Sequence, residues 1–327
     1  MPVLPQCDYK APFWLPGGHA QTMGPRIACF VPKLPFVRHT LELADGDFIL
    51  VDWLFASGGA EERSRKLAIL SHGLEGDSTR SYMRALAIAL LRRGWDVAAR
   101  NFRGCGGPMN RLPALYHSGD TVDLDAVTRH AESLGYGRIA LAGFSMGGNQ
   151  VLMYAGRESA SLPASVRRVA AVSVPCDLTG CSTELSRPRN RIYMEYFLRT
   201  LRRKMREKHA RYPDLFPVAT LDRIKTFKEF DGLYTAPLNG FADAEDYWAK
   251  ASSLPYLSGI RVPALVINAA NDPFLSERCF PVEEAEESEA LFLLIPSGGG
   301  HVGFPGPVGK TVGWLENTVA DFLDSES

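Results

Sequence analysis

Arg138-Ile139-Ala140-Leu141-Ala142 is followed by Gly143-Phe144-Ser145-Met146-Gly147 and then by Gly148-Asn149-Gln150-Val151-Leu152-Met153-Tyr154. An apolar strand pattern thus runs through Gly-x-Ser-x-Gly into a stretch able to form a helix, the setting of a nucleophile elbow. The turn is so tight that the residues two before and two after the serine must be small, and Gly143 and Gly147 meet that demand. The helix expected to follow directs free N–H groups and its positive dipole end at the serine, where a negative oxygen develops in acyl transfer.

A serine nucleophile in this setting calls for an acid and a histidine later in the chain, each on a loop after a strand. The β-branched run Arg261–Ala269 ends in Ala270-Asn271-Asp272-Pro273-Phe274, which puts Asp272 on a turn. The next apolar run, Ala290–Pro296, ends in Ser297-Gly298-Gly299-Gly300-His301, which puts His301 on a glycine-rich loop. Asp177, just beyond the strand Val169–Val174, is the alternative acid. The oxyanion hole is expected from two backbone amides. One is Met146, after the serine, and the other is Leu74, in the loop His72-Gly73-Leu74-Glu75-Gly76 after an earlier strand. His72 itself reads as a structural hydrogen-bonding residue of that loop.

With Gly18-His19-Ala20-Gln21-Thr22, His72-Gly73-Leu74-Glu75-Gly76, Asn101-Phe102-Arg103-Gly104-Cys105-Gly106, Tyr116-His117-Ser118-Gly119, the serine motif through Asn149, Asn271-Asp272-Pro273-Phe274 and Gly300-His301-Val302-Gly303-Phe304, the chain resembles the YheT-like (EMB8-like) family of the α/β-hydrolase superfamily. The resemblance covers almost the whole length. It implies that the family's serine, aspartate and histidine fall on Ser145, Asp272 and His301, and that some relatives pass medium-chain acyl groups to an alcohol. Two departures stand out: Asn271-Asp272 where relatives often carry two aspartates, and Phe230-Asp231-Gly232 where they carry Phe-Asp-Asp. The second bears on the lid region.

At 327 residues and 46% hydrophobic, the chain has material for a large single core. A net charge of −1 argues against a nucleic-acid partner. Cys7, Cys29, Cys105, Cys176, Cys181 and Cys279 show neither Cys-x-x-Cys nor a metal-ligand spacing and read as reduced thiols of a cytoplasmic protein. Cys105 reads as loop packing rather than a nucleophile. The N-terminus lacks a signal-peptide pattern, and no stretch is long enough to be an integral membrane span.

These patterns predict an α/β fold: a mostly parallel sheet with an antiparallel N-terminal edge, flanking helices and a helical lid insertion. The chain is read as one domain, residues 1–327, in which 1–35 form an irregular, proline-rich arm and 178–259 the insertion. A hairpin is expected over Phe36–Leu43 and Phe48–Phe55, with strands ending near Ser71, Arg100, Ala142, Val174, Asn268 and Ile295. Within the insertion a helix from about Asn190 to Ala210 carries Met194, Phe197, Leu198, Leu201 and Met205 on one face. Arg199, Arg202, Arg203, Lys204, Arg206 and Lys208 are expected elsewhere. That basic helix reads either as a lid helix with a solvated charged face or as a surface for peripheral contact with anionic lipid or an acidic substrate. Tyr234, Phe241, Tyr247 and Trp248 are candidates to line an acyl pocket, or equally to pack.

The function expected is a serine hydrolase that cleaves carboxylic esters of short-to-medium acyl chain, with a small-molecule ester or acyl lipid as partner and no metal or organic cofactor. An acyltransferase using the same acyl-enzyme is one alternative, and a non-enzymatic binding module is another.

Overall fold

A computed structural model describes residues 4, 7–28, 31–307 and 309–326, so Cys29 lies outside the described residues. A first helix, α1 (Gly17–Ala28), precedes a hairpin of β1 (Val37–Glu42) and β2 (Phe48–Leu54). Strand and helix then alternate through β3 (Lys66–Ser71), α2 (Ser81–Leu91), β4 (Asp96–Asn101), α3 (Val122–Ser133), β5 (Arg138–Phe144), α4 (Met146–Arg157) and β6 (Val166–Val172). A helical excursion follows: α5 (Leu178–Leu185), α6 (Arg191–Arg211), the short α7 (Phe227–Phe230) and α8 (Ala236–Leu238), and α9 (Ala244–Ala251). The chain closes with β7 (Ala264–Ile267), α10 (Val282–Glu286), β8 (Leu291–Leu294) and α11 (Trp314–Asp324). The eight strands form one sheet in the order β1-β2-β4-β3-β5-β6-β7-β8. β1 and β2 are antiparallel to each other, and β2 is antiparallel to β4. Every later pairing is parallel.

The central strands are apolar on both sides because the sheet is covered on both faces. Leu67 and Ile69 of β3 and Leu141 of β5 meet α3 and α4 through Leu124, Val127 and Leu152. The alternate residues Ala68, Leu70 and Ala142 meet α2 and α11 through Met83, Leu86 and Val319. The insertion has its own apolar cluster, including Leu198, Met205, Phe216 and Tyr234, and Phe274 of the loop after β7 joins it.

Two expectations need correction. The arm is not irregular throughout, since α1 occupies Gly17–Ala28 with Pro25 inside it. Pro16, Gly17, Gly18 and Pro25 lower intrinsic helicity, and contacts far along the chain outweigh that. On α6, Lys204 and Lys208 are buried, 5% and 0% exposed, not solvated. They follow Leu201 at three and seven residues, which is the buried face of a 3.6-residue period, so their position overrode their charge.

Candidate active site

Ser145 sits between β5 and α4 at φ 53°, ψ −120°, a backbone state that persists only when its surroundings over-determine it. Here the Ser145 N–H donates to the Val172 carbonyl of β6 (2.8 Å), and the Ser145 carbonyl accepts from Asn149 N–H (3.0 Å), the first turn of α4. Both flanking glycines are sterically required. A Cβ on Gly143 would lie 2.6 Å from Gly148 N, and one on Gly147 would lie 2.5 Å from the His72 carbonyl oxygen beyond β3. Asn149 ties the helix outward: its amide donates to the carbonyls of Ser118 (2.9 Å) and Ala251 (2.7 Å), and its oxygen accepts from Ser253 N–H (2.9 Å).

The turn after β7 and the loop after β8 bring Asp272 and His301 to this serine. His301 Nδ1 lies 2.8 Å from Asp272 Oδ2, and Nε2 lies 2.9 Å from Ser145 Oγ. With a carboxylate on one side and a hydroxyl on the other, these partners assign the ring hydrogen to Nδ1 and leave Nε2 free to accept the serine proton. Phe274 packs on the imidazole with centroids 4.2 Å apart, and Asp272 is buried, its Oδ1 accepting from Phe274 N–H (2.9 Å). Asp177 does not meet the histidine. It stands at the N-terminus of α5, where its carboxylate accepts from Ser276 Oγ (3.0 Å).

Sequence reading left the Gly18–Thr22 motif without a role, and the fold supplies one. Thr22 Oγ1 accepts from the backbone N–H of His301 (2.9 Å), and Gln21 Oε1 accepts from Gly299 N–H (2.7 Å) and from Asn271 Nδ2 (2.9 Å). Asn271 Oδ1 in turn accepts from Gly300 N–H (3.0 Å). One helix thereby pins both the aspartate turn and the histidine loop. An aspartate at 271 would have no amide to offer Gln21, so the Asn271 departure is part of this latch. The only signal available beforehand was the motif itself.

Leu74 and Met146, the residues expected to supply the two amides, both line the cavity that also holds Ser145 and His301. Behind them His72 is fully buried. Its Nε2 accepts from Phe102 N–H (3.1 Å), and its Nδ1 pairs with the Gly73 carbonyl (2.7 Å), so the ring is neutral and structural as expected. Burial pushes His72 down to about 3 from the ordinary 6.5. The unfolded chain takes up this proton first as pH falls. The His72 contribution to stability is therefore complete above pH 6.5 and is lost progressively towards pH 3. In an NMR titration the His72 ring signals are expected to stay constant between about pH 8 and about pH 5, whereas a midpoint near that of a free histidine contradicts the buried neutral ring.

Ser145 and His301 also separate two cavities. Beneath the insertion lies an apolar one, walled by Leu185, Leu201, Met205, Phe230 and Tyr234. On the other side a more polar one is bordered by Thr22, Asp77, Arg80, Tyr193 and Lys310. Of the aromatic candidates, Tyr234, Tyr247 and Trp248 line the apolar cavity, whereas Phe241 packs edge-on against His117. At the Phe230-Asp231-Gly232 departure a single π turn, Asp231–Thr235, replaces regular helix. Asp231 accepts from Thr235 Oγ1 (2.6 Å) and Trp248 Nε1 (2.9 Å), and burial pushes its carboxyl up to about 6. Among the described residues no cluster suited to a metal ion occurs, and no helix is long and apolar enough to cross a membrane.

A mostly parallel sheet of this order, with a serine turn after its fifth strand and aspartate and histidine on later loops, has the architecture of the α/β hydrolases. Residues 68–305 match the family model described as the α/β hydrolase fold. The chain is 35% identical to YheT of Escherichia coli (strain K12), over 93% of this chain and 89% of that protein. It is 29% identical to Phospholipase ABHD3 of Mus musculus, over 93% of this chain and 74% of the relative. The Pyrococcus furiosus esterase Pf2001 shares the fold with a TM-score of 0.59 and 19% identity, over 90% of this chain and 97% of that structure. The chain belongs to the YheT-like family of the α/β-hydrolase superfamily.

Proposed function

We propose that this protein is a serine hydrolase that cleaves carboxylic esters of short-to-medium acyl chain through an acyl-enzyme on Ser145. The observation that carries the reading is the continuous line from Asp272 through His301 to Ser145, at 2.8 and 2.9 Å, on a strained turn at a helix N-terminus. Ser145 Oγ attacks the ester carbonyl while His301 Nε2 takes its proton, and the carbonyl oxygen, now negative, is received by the amides of Met146 and Leu74. The C–O bond to the alcohol then breaks, with His301 returning the proton to the leaving oxygen. Water repeats the sequence on the acyl-enzyme to release the acid. Asp272 holds the imidazole tautomer and stabilises its charge. Nucleophile, base and electrostatic hole all come from the protein, so the reaction calls for no cofactor.

The insertion from 178 to 259 acts as a lid, and the apolar cavity beneath it takes the acyl chain. A relative named as a phospholipase supports an acyl lipid as substrate. Peripheral contact with lipid is supported by exposed apolar groups on the insertion, Ile192 at 75% and Leu233 at 47%.

A series of chromogenic esters tests the reading. Each methylene buried is worth about 0.8 kcal/mol, so kcat/KM is expected to rise roughly fourfold per methylene until the cavity is filled. A series in which acetate is the best substrate moves the acyl chain elsewhere, and no turnover of any carboxylic ester overturns the function. Running the same reactions with added alcohol measures acyl transfer directly, since a transferase yields a new ester in place of free acid.

A further inference from the structure

A buried ion pair joins the insertion to the loop after β3 and takes no part in the steps above. Lys204 Nζ of α6 lies 2.7 Å from Glu75 Oε1 and 2.9 Å from Cys105 Sγ, with the lysine and glutamate side chains 6% and 3% exposed. Burial pushes the Cys105 thiol up to about 11, so the cation's charged partner is the Glu75 carboxylate. Tyr116 completes the cluster. Its hydroxyl donates to Glu75 Oε1 (2.5 Å) and accepts from Glu75 N–H (3.2 Å), and its ring centroid lies 5.0 Å from the ammonium.

Glu75 directly follows Leu74, and its backbone is left-handed, at φ 55°. A residue with a long side chain holds that conformation only where its neighbours leave it no choice. Here Tyr116 holds its amide, Arg80 Nη2 donates to its carbonyl (2.7 Å), and Lys204 and Tyr116 hold its carboxylate. Leu74 packs into the same cluster as Tyr116, Cys105 and Met146.

We propose that Lys204 is a positioning residue for the ester reaction: acting through Glu75, it keeps the Leu74 amide where the developing oxyanion needs it. The inference rests on the reading of Ser145 above and deepens it, because it makes the insertion part of the catalytic frame as well as a cover. Without the ammonium, the buried Glu75 carboxylate loses its counter-ion and must take a proton or turn towards water. Either change releases the left-handed turn. An amide displaced from the oxyanion costs rate and not substrate binding, because the full negative charge exists only near the transition state.

The test compares full-length Lys204→Met, Glu75→Gln, their double variant and Lys208→Met. Lys208 is the control: it is buried one turn further along α6, but its ammonium meets the carbonyls of Asn110 and Leu112, away from the loop. Lys204→Met is expected to lower kcat about 10- to 100-fold with KM within about 3-fold, and to slow fluorophosphonate labelling of Ser145 in parallel. The double variant is expected to be no slower than Lys204→Met, because the pair acts as a unit. Lys208→Met is expected to lower Tm while keeping kcat. Should Lys204→Met fail to fold, Glu75→Gln, which keeps the side-chain shape and removes the charge, carries the same kinetic expectation.

Unchanged kcat and labelling in Lys204→Met overturn the proposal, as does an equal loss of kcat in Lys208→Met. A rise in KM at constant kcat also overturns it, since Lys204 would then bind substrate. A wild-type protein that neither hydrolyses esters nor takes the label overturns the reading of Ser145, and this proposal with it.

Discussion

Ser145→Ala is expected to abolish fluorophosphonate labelling and to lower kcat by roughly 10⁶, the scale on which serine hydrolases lose activity without their nucleophile. The fold should survive. The side-chain oxygen's partner is His301 Nε2, while the backbone bonds that shape the turn, to Val172 and from Asn149, do not involve the side chain. Circular dichroism and Tm would therefore match the parent protein. Labelling that persists in Ser145→Ala would show that another nucleophile is modified and would remove the basis of the proposed acyl-enzyme.

Asp272→Asn is the second large effect, with kcat expected to fall by roughly 10⁴. The amide can present an N–H to His301 Nδ1, which then becomes the acceptor and leaves the ring hydrogen on Nε2, facing Ser145. A ring in that tautomer cannot take the serine proton. Asp177→Asn is expected to leave kcat nearly unchanged. Its carboxylate bonds Ser276 Oγ at the start of α5, so any loss belongs to stability. Measuring kcat and Tm for both variants decides between the two acids. The reverse ranking would assign the acid role to Asp177 while leaving Ser145 and His301 in place.

The three candidate residues that the structure brings together were legible because each announces itself locally. Gly143 and Gly147 are demanded by a turn five residues long, and Asp272 and His301 follow apolar strand runs that need no distant partner to be recognised. Strand ends were read to within about two residues for the same reason: a run of apolar residues flanked by glycine, proline or asparagine carries its own boundary. The insertion was visible as a stretch where helical periodicity replaced that alternation.

Sequence by itself thus determined the order of strands and helices, the serine turn, the placing of Asp272 and His301 on loops after later strands, and a net charge of −1. Tertiary structure decided which of two aspartates faces the histidine, that α1 forms despite its prolines, and that Lys204 and Lys208 are interior. The physical reason is the reach of the interactions. Gln21 meets Asn271 across 250 positions, Thr22 meets His301 across 279, and Lys204 meets Glu75 across 129. A local pattern records what a residue prefers in isolation. Burying an ammonium or stabilising a proline-interrupted helix depends instead on partners that only the packed sheet, loops and insertion bring within hydrogen-bond distance.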